Sequence, residues 1–227
     1  MKNKILTFGF DDCEIYDRQL AELFRKYGMK ATFFLLTGSF SEKVPFHRYG
    51  EDTVVERISY EEIPETYLGM EVATHTERHR CDVNDFEGTV GNSCKRLSDI
   101  CGYEVNGLAY PGGHYTEELV DSLRENGVLY SRTAIVSGNF DLPEDLLIWN
   151  PTAKYDDENI EALADEFLAY NGEEPKLFYI YGHSYELTQK EEGKSFLSFE
   201  RLLKKLSFKD DISYATNKEI AEWMKKR

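Results

Sequence analysis

The chain has 227 residues, 41% hydrophobic and 30% charged, the make-up of an ordinary globular protein with enough apolar material for one sizeable core. A formal net charge of −15 argues against nucleic acid as a partner, because phosphate binding needs a basic surface. No apolar run is long enough to span a membrane, so no membrane partner is expected either.

From the N-terminus, "ILTFGF" has the apolar and β-branched content of a strand, and "YDRQLAELFRKYG" the helical period, with Gly28 closing the helix. "ATFFLL" follows as a second strand. Residues 38–58 have mixed composition and are predicted to form an insertion or elaborated loop on the rim, where selectivity for substrate would reside. "MEVAT" and "NGLAY" are short strands flanking a helix predicted from about Asn84 to Cys101. "TEELVDSLRENG" is a further helix with a glycine stop, leading into "VLYSRTAI". After Pro151 the pattern predicts a helix near Asp156 to Tyr170, the strand "KLFYIY", a helix around Phe199 to Leu206, the strand "ISYAT" and a last helix "NKEIAEWMKKR". Repeated βα units of this kind over residues 1–227, without a linker or repeat, predict an α/β fold in one domain. A complete or distorted (β/α) barrel fits best, with a doubly wound open sheet as the alternative.

Met1-Lys2-Asn3-Lys4 leads straight into the first strand, too short for the apolar centre of a signal peptide, so a cytoplasmic protein is expected unless a leader has been removed. Cysteines 13, 81, 94 and 101 form no C-x-x-C pair and are expected to be free, buried thiols of a reducing compartment.

Four polar clusters stand just after predicted strands: "DDC", "HTERH", "YPGGHY" and "GHSYE". In an α/β barrel the carboxyl ends of the strands form one rim, where groups distant in sequence meet. His75 and His79 are four apart and would share a face if a helical turn forms, which suits either a metal clamp or a chance surface pair. Asp11 and Asp12 suit either a helix cap or a division of labour in which one carboxylate joins a His₂Asp metal site and the other takes a proton from water. The zincin pattern fails because Thr76, not Glu, follows His75, and no P-loop, G-x-G-x-x-G or G-x-S-x-G pattern is present.

"TFGFDDC", "HTERH", "LAYPGG" and "YIYGHS", in this order and with the closing "DISYATNKEI", resemble the metal-dependent polysaccharide deacetylases, carbohydrate esterases with a distorted (β/α) barrel. The resemblance covers nearly the whole chain. It implies that Asp12, His75 and His79 hold one divalent metal, zinc first and cobalt or another first-row ion as alternatives. It further implies Asp11 as general base, His183 as general acid, and a backbone amide of the Pro111-Gly112 turn as oxyanion donor. The substrate implied is an N-acetylated amino sugar or oligosaccharide, with another small amide as an alternative; oligomeric state is left open. Departures from the family pattern matter, among them Cys13 where a glycine often follows the Asp pair. The family's arginine two places before the motif proline is Ala109 here, and Arg132 is a candidate replacement; the carboxylate orienting His183 has Asp141 and Asp145 as candidates. Rival expectations are a cyclic imide or ureide amidase on a related barrel, and a metal- or carbohydrate-binding protein without catalysis.

Overall fold

The computed structural model describes residues 1–48, 50–189, 191 and 193–227. In chain order the elements are β1 (Lys4–Asp11), α1 (Asp17–Lys26), β2 (Thr32–Leu35), β3 (Lys43–Arg48), β4 (Glu51–Glu56), α2 (Ile63–Thr66) and β5 (Glu71–Thr74). They continue with α3 (Asn92–Cys101), β6 (Gly107–Ala109), α4 (Glu117–Glu125), β7 (Tyr130–Arg132) and β8 (Ala153–Lys154). The chain ends with α5 (Ile160–Ala169), β9 (Lys176–His183), α6 (Phe196–Leu206), β10 (Ile212–Tyr214) and α7 (Asn217–Met224).

β1 is buried along its whole length, as a near-continuous apolar strand covered on both faces must be. It pairs in parallel with β9 from Lys4↔Lys176 to Asp11↔His183. Its other edge is shared, the first half pairing with β10 and the second with β2. The sheet runs β7-β6-β5-β2-β1-β9-β8. It curls until its ends are linked by one irregular segment: Trp149 bridges Arg132 at the β7 edge, and Ala153 pairs with Ile180 of β9. The fold is thus a distorted (β/α) barrel rather than an open doubly wound sheet. β8, two residues long, escapes sequence patterning because it is too short to show a period.

Side-chain alternation divides the core in two. One set of strand positions, including Phe34, Tyr130 and Tyr179 with Trp149, fills the barrel interior with rings 5.4 to 6.3 Å apart. The alternate set, including Phe8, Phe10 and Phe33, packs outward on Phe24 of α1 and Phe199 of α6. Each fully buried Phe of this kind contributes about 1.5–3 kcal/mol relative to exposure. Gly9 sits on an inward position of β1, where a Cβ would lie 2.7 Å from the Tyr179 hydroxyl. The same inward parity continues to Asp11 on β1 and His183 on β9, so the barrel's filling pattern delivers these two polar groups to its carboxyl rim.

Helix starts follow the local chemistry. Thr116, Ser195 and Thr216 each accept a backbone N–H at the start of α4, α6 and α7, and Glu219 completes a capping box. Residues 38–58 form more than a loop: β3 and β4 pair as an antiparallel hairpin outside the main sheet. All four cysteines are free, but only Cys13 is fully buried, because Cys81, Cys94 and Cys101 lie at the edge of the outer core. Among the described residues no helix is long and apolar enough to cross a membrane.

Candidate active site and metal centre

Asp11 ends β1, and Arg132 ends β7 on the other side of the barrel mouth. Both are buried, and one guanidinium nitrogen of Arg132 donates to both Asp11 oxygens, at 2.6 and 2.5 Å. Burial alone would push the Asp11 carboxyl up, but Arg132, with His75 and His183, holds it below the usual carboxylate range. A carboxylate kept ionised in a dry pocket can accept a proton.

Immediately after β1 the backbone turns left-handed, with φ of 80° at Asp12 and 50° at Cys13. Non-glycine residues adopt this region rarely, and such turns mark sites where side-chain placement outweighs backbone comfort. The turn takes Asp12 off the strand's alternation and toward β5, where its Oδ1 lies 3.8 Å from His75 Nε2. No helical turn aligns His75 with His79. Thr76 has φ 75° and His79 φ 53°, and the Thr74 and Thr76 hydroxyls accept the N–H groups of Thr76 and Arg80. Local side-chain bonding of this kind replaces the helical ladder. The two rings nevertheless meet, with centroids 4.8 Å apart.

His75 Nδ1 lies 2.9 Å from the Ala109 carbonyl, an acceptor only, so Nδ1 carries the proton and Nε2 the lone pair. That Nε2 is buried without a hydrogen-bond partner, and burial pushes the imidazole down and keeps it neutral. Ligand atoms of Asp12, His75 and His79 all lie within 4.8 Å of one another. An orphaned imidazole lone pair facing a carboxylate and a second imidazole fits a divalent first-row metal, for which N/O donors of this set are suited.

His183, the last residue of β9, is the register partner of Asp11. Its Nε2 is 3.9 Å from both Asp11 Oδ2 and Asp12 Oδ2. On its far side Glu186 Oε2 lies 3.3 Å from Nδ1 and accepts the His183 backbone N–H at 3.2 Å. Lys154 of β8 holds the other Glu186 oxygen at 2.8 Å. Burial would lower the His183 pKa, but Glu186, Asp11 and Asp12 together raise it above the ordinary imidazole value. Three of the chain's five histidines thus meet two carboxylates at one rim. The polysaccharide deacetylase family model matches residues 1–131, more than half of the chain.

The chain belongs to the polysaccharide deacetylase family.

No curated protein matches the sequence. Among solved structures, the Streptococcus pyogenes deacetylase PplD in complex with acetate is 20% identical with a TM-score of 0.51, over 63% of this chain and 61% of that one, so the chain spans less than two thirds of PplD. A Mycobacterium smegmatis protein named as a polysaccharide deacetylase is 13% identical with a TM-score of 0.66, over 99% and 91% of the two chains. Peptidoglycan deacetylase PdaC of Bacillus subtilis is 20% identical with a TM-score of 0.56, over 99% and 93%. At these identities the likeness is one of fold, the distorted (β/α) barrel.

In this member of the family the position of Ala109 is explained by register. Ala109 pairs with Arg132 across β6 and β7, so the arginine on the neighbouring strand stands on the same rung. The carboxylate beside His183 is neither Asp141 nor Asp145. Asp141 is taken up by Lys176 at 2.7 Å, and Asp145 by Arg124 at 2.8 Å, both at the surface. Glu186 was discernible in "GHSYE", three residues after His183, but nothing in the sequence distinguishes it from a solvated acid. Pro111 and Gly112 stand at the carboxyl end of β6; Pro111 has no N–H, and the turn is closed by the N–H groups of Gly113 and His114, which leaves the Gly112 amide unused by the turn. His47 pairs with exposed Asp52 on the hairpin, and His114 is exposed.

Proposed function

We propose that the protein is a metal-dependent hydrolase that removes N-acetyl groups from an amino sugar or oligosaccharide, with residues 1–227 acting as one catalytic domain. The observation that supports this best is the placement of His183 Nε2, 3.9 Å from both Asp11 and Asp12, on the strand next to Asp11. Acid, base and ligand cluster then share one pocket mouth.

Asp12, His75 and His79 would hold one divalent ion, zinc first, which when bound supplies a Lewis acid and lowers the pKa of coordinated water. Asp11 takes the proton from the attacking water, and Arg132 keeps Asp11 ionised for that task. As the water oxygen bonds to the acetyl carbon, the Gly112 amide would donate to the developing oxyanion, an effect worth about 3–4 kcal/mol for one donor elsewhere. His183 then protonates the amine as the carbon–nitrogen bond breaks, releasing acetate. Glu186, held by Lys154, faces Nδ1 so that Nε2 presents to the reacting side, the arrangement in which a third group orients an acid–base imidazole.

The test is acetate release from N-acetylated mono- and oligosaccharides by zinc- or cobalt-loaded protein beside Asp11→Asn. Release that falls by about 10²–10⁴ in the variant is expected, the range for loss of a general base. Hydrolysis of cyclic imides without acetate release, or saccharide binding without turnover, would replace this reading.

A further inference from the structure

The turn that carries Asp12 is pinned at three successive peptide planes. Asp12 donates its N–H to the Phe34 carbonyl of β2 at 3.1 Å. The Asp12 carbonyl accepts from Arg57 Nε at 3.2 Å, and the Cys13 carbonyl accepts the Ile58 N–H at 2.9 Å. Because each peptide unit is planar, fixing consecutive units fixes the φ and ψ between them. These bonds therefore set the backbone of Asp12 and Cys13, whose positive φ values an L side chain rarely adopts. A turn of that kind persists only where its surroundings over-determine it. Returning Asp12 to an ordinary negative φ would rotate its Cβ about the N–Cα bond and carry the carboxylate off His75, from which it now stands 3.8 Å away.

Two of these three anchors come from the base of the β3–β4 hairpin. Arg57 follows β4 directly and forms an antiparallel bridge with Glu14, while Ile15 donates its N–H to the Glu56 carbonyl at 3.0 Å. The Arg57 side chain is mostly buried and held from both sides. As Nε reaches Asp12, Nη1 donates to the Glu42 carboxylate at 3.0 Å, and the Arg57 N–H donates to the Glu42 carbonyl at the same distance. Glu42 stands just before β3, so one guanidinium joins both ends of the hairpin to the Asp12 turn. Arg48, the last residue of β3, adds a second tie. It meets the buried carboxylate of Glu14 at 2.9 and 3.3 Å and stacks 3.4 Å over the Tyr185 ring, which lies 5.0 Å from the ring of His183. The hairpin is thereby fastened to the two segments that follow β1 and β9, beside Asp12 and His183. A site whose binding geometry is only partly populated takes its ligand more weakly in proportion to that population, so a brace of this kind acts on metal affinity.

We propose that Arg57 is a positioning residue for Asp12, and that the β3–β4 hairpin is the brace that pre-forms the metal site before the ion arrives. The proposal rests on the metal-dependent reading of Asp12, His75 and His79, and adds that residues outside the ligand set fix the aim of Asp12. Zinc affinity of the full chain, measured by competition with a chromophoric chelator, is compared in wild type, Arg57→Ala, Arg57→Lys and Val54→Ser, with circular dichroism of the metal-free proteins to confirm folding. Arg57→Ala is expected to bind zinc about tenfold or more weakly than wild type. Arg57→Lys, which keeps the charge and a more mobile donor, falls between the two. Val54→Ser changes an exposed hairpin position away from the turn and binds as wild type does. Zinc affinity of Arg57→Ala within about twofold of wild type, or an equal loss in Val54→Ser, would overturn the proposal, the second by reducing the effect to general loosening of the hairpin. Should Arg57→Ala not fold, Arg57→Lys decides: severalfold weaker binding supports the brace, and wild-type affinity ends it. If wild type itself binds no zinc, the metal-dependent reading has failed and the proposal falls with it, an outcome distinct from wild-type binding that Arg57→Ala leaves unchanged.

Discussion

Arg132 is buried on every side, its guanidinium on both oxygens of Asp11 and 4.9 Å from the ring of Tyr181. Removing one partner of a buried ion pair typically costs about 3–5 kcal/mol, because the other is left charged and dry. Arg132→Ala is accordingly expected to be both less stable and less active, with Arg132→Lys restoring part of each. The pH profile separates electrostatics from simple unfolding. Arg132 holds the Asp11 carboxyl low, so its loss raises that pKa, and a base that must be ionised becomes active only at higher pH. The acidic limb of kcat/KM moves up. Glu186→Gln acts on the other limb: Glu186 holds His183 high, so its loss lowers that pKa, and an acid that must be protonated fails at lower pH. Profiles that superimpose on wild type after scaling would remove both residues from the mechanism.

At the scale of elements, α1 carries an acid where its dipole should favour the charged form, at its first residue, Asp17. Burial wins. Asp17 has no exposed surface, its Oδ2 accepts the Tyr67 hydroxyl at 2.7 Å, and desolvation pushes its carboxyl up to about 7. In the unfolded chain the same group titrates near ~3.9. The folded state therefore keeps a proton that the unfolded state releases between about pH 4 and 7, and stability from this group is full below that window and lost through it. The loss at pH 8 is on the order of 4 kcal/mol. Asp17→Asn cannot ionise and should gain on wild type as pH rises from 5 to 8 in urea unfolding; parallel curves for the two proteins would contradict this. Most of the helices were legible from period, although α2 was not foreseen and α3 starts at Asn92 rather than near Asn84. The turn at His75 was not, because Thr76 carries a left-handed backbone that spacing alone does not reveal.

For the molecule as a whole, the proposed ligand residues come from the turn after β1 and from the segment after β5, so a bound ion would join elements that the unfolded chain separates. A ligand that binds only the folded state stabilises it by RT ln(1 + [L]/Kd), about 4 kcal/mol at a thousandfold excess over Kd. For a chain of this size zinc is expected to raise Tm by on the order of 10 °C over chelator-treated protein. His75→Ala should abolish the rise. A zinc response of the same size in that variant would place the ion elsewhere.

Alternation of strand and helix, and the position of Asp11, Asp12, His75, His79, Pro111 and His183 at strand ends, are local properties and could be read from sequence. They depend on periodicity and on the residue types that terminate an element. Arg132 was visible only as an arginine after a strand run, since its meeting with Asp11 depends on the register that seats it beside Ala109. The choice of Glu186 over Asp141 and Asp145, the barrel closure through Trp149 and Ala153, and the seating of the hairpin by Arg48 on Glu14 and Tyr185 belong to tertiary structure. These are contacts between segments that no local propensity relates. They exist only once the sheet has curled, its strands have taken their register and side-chain alternation has divided inward from outward positions.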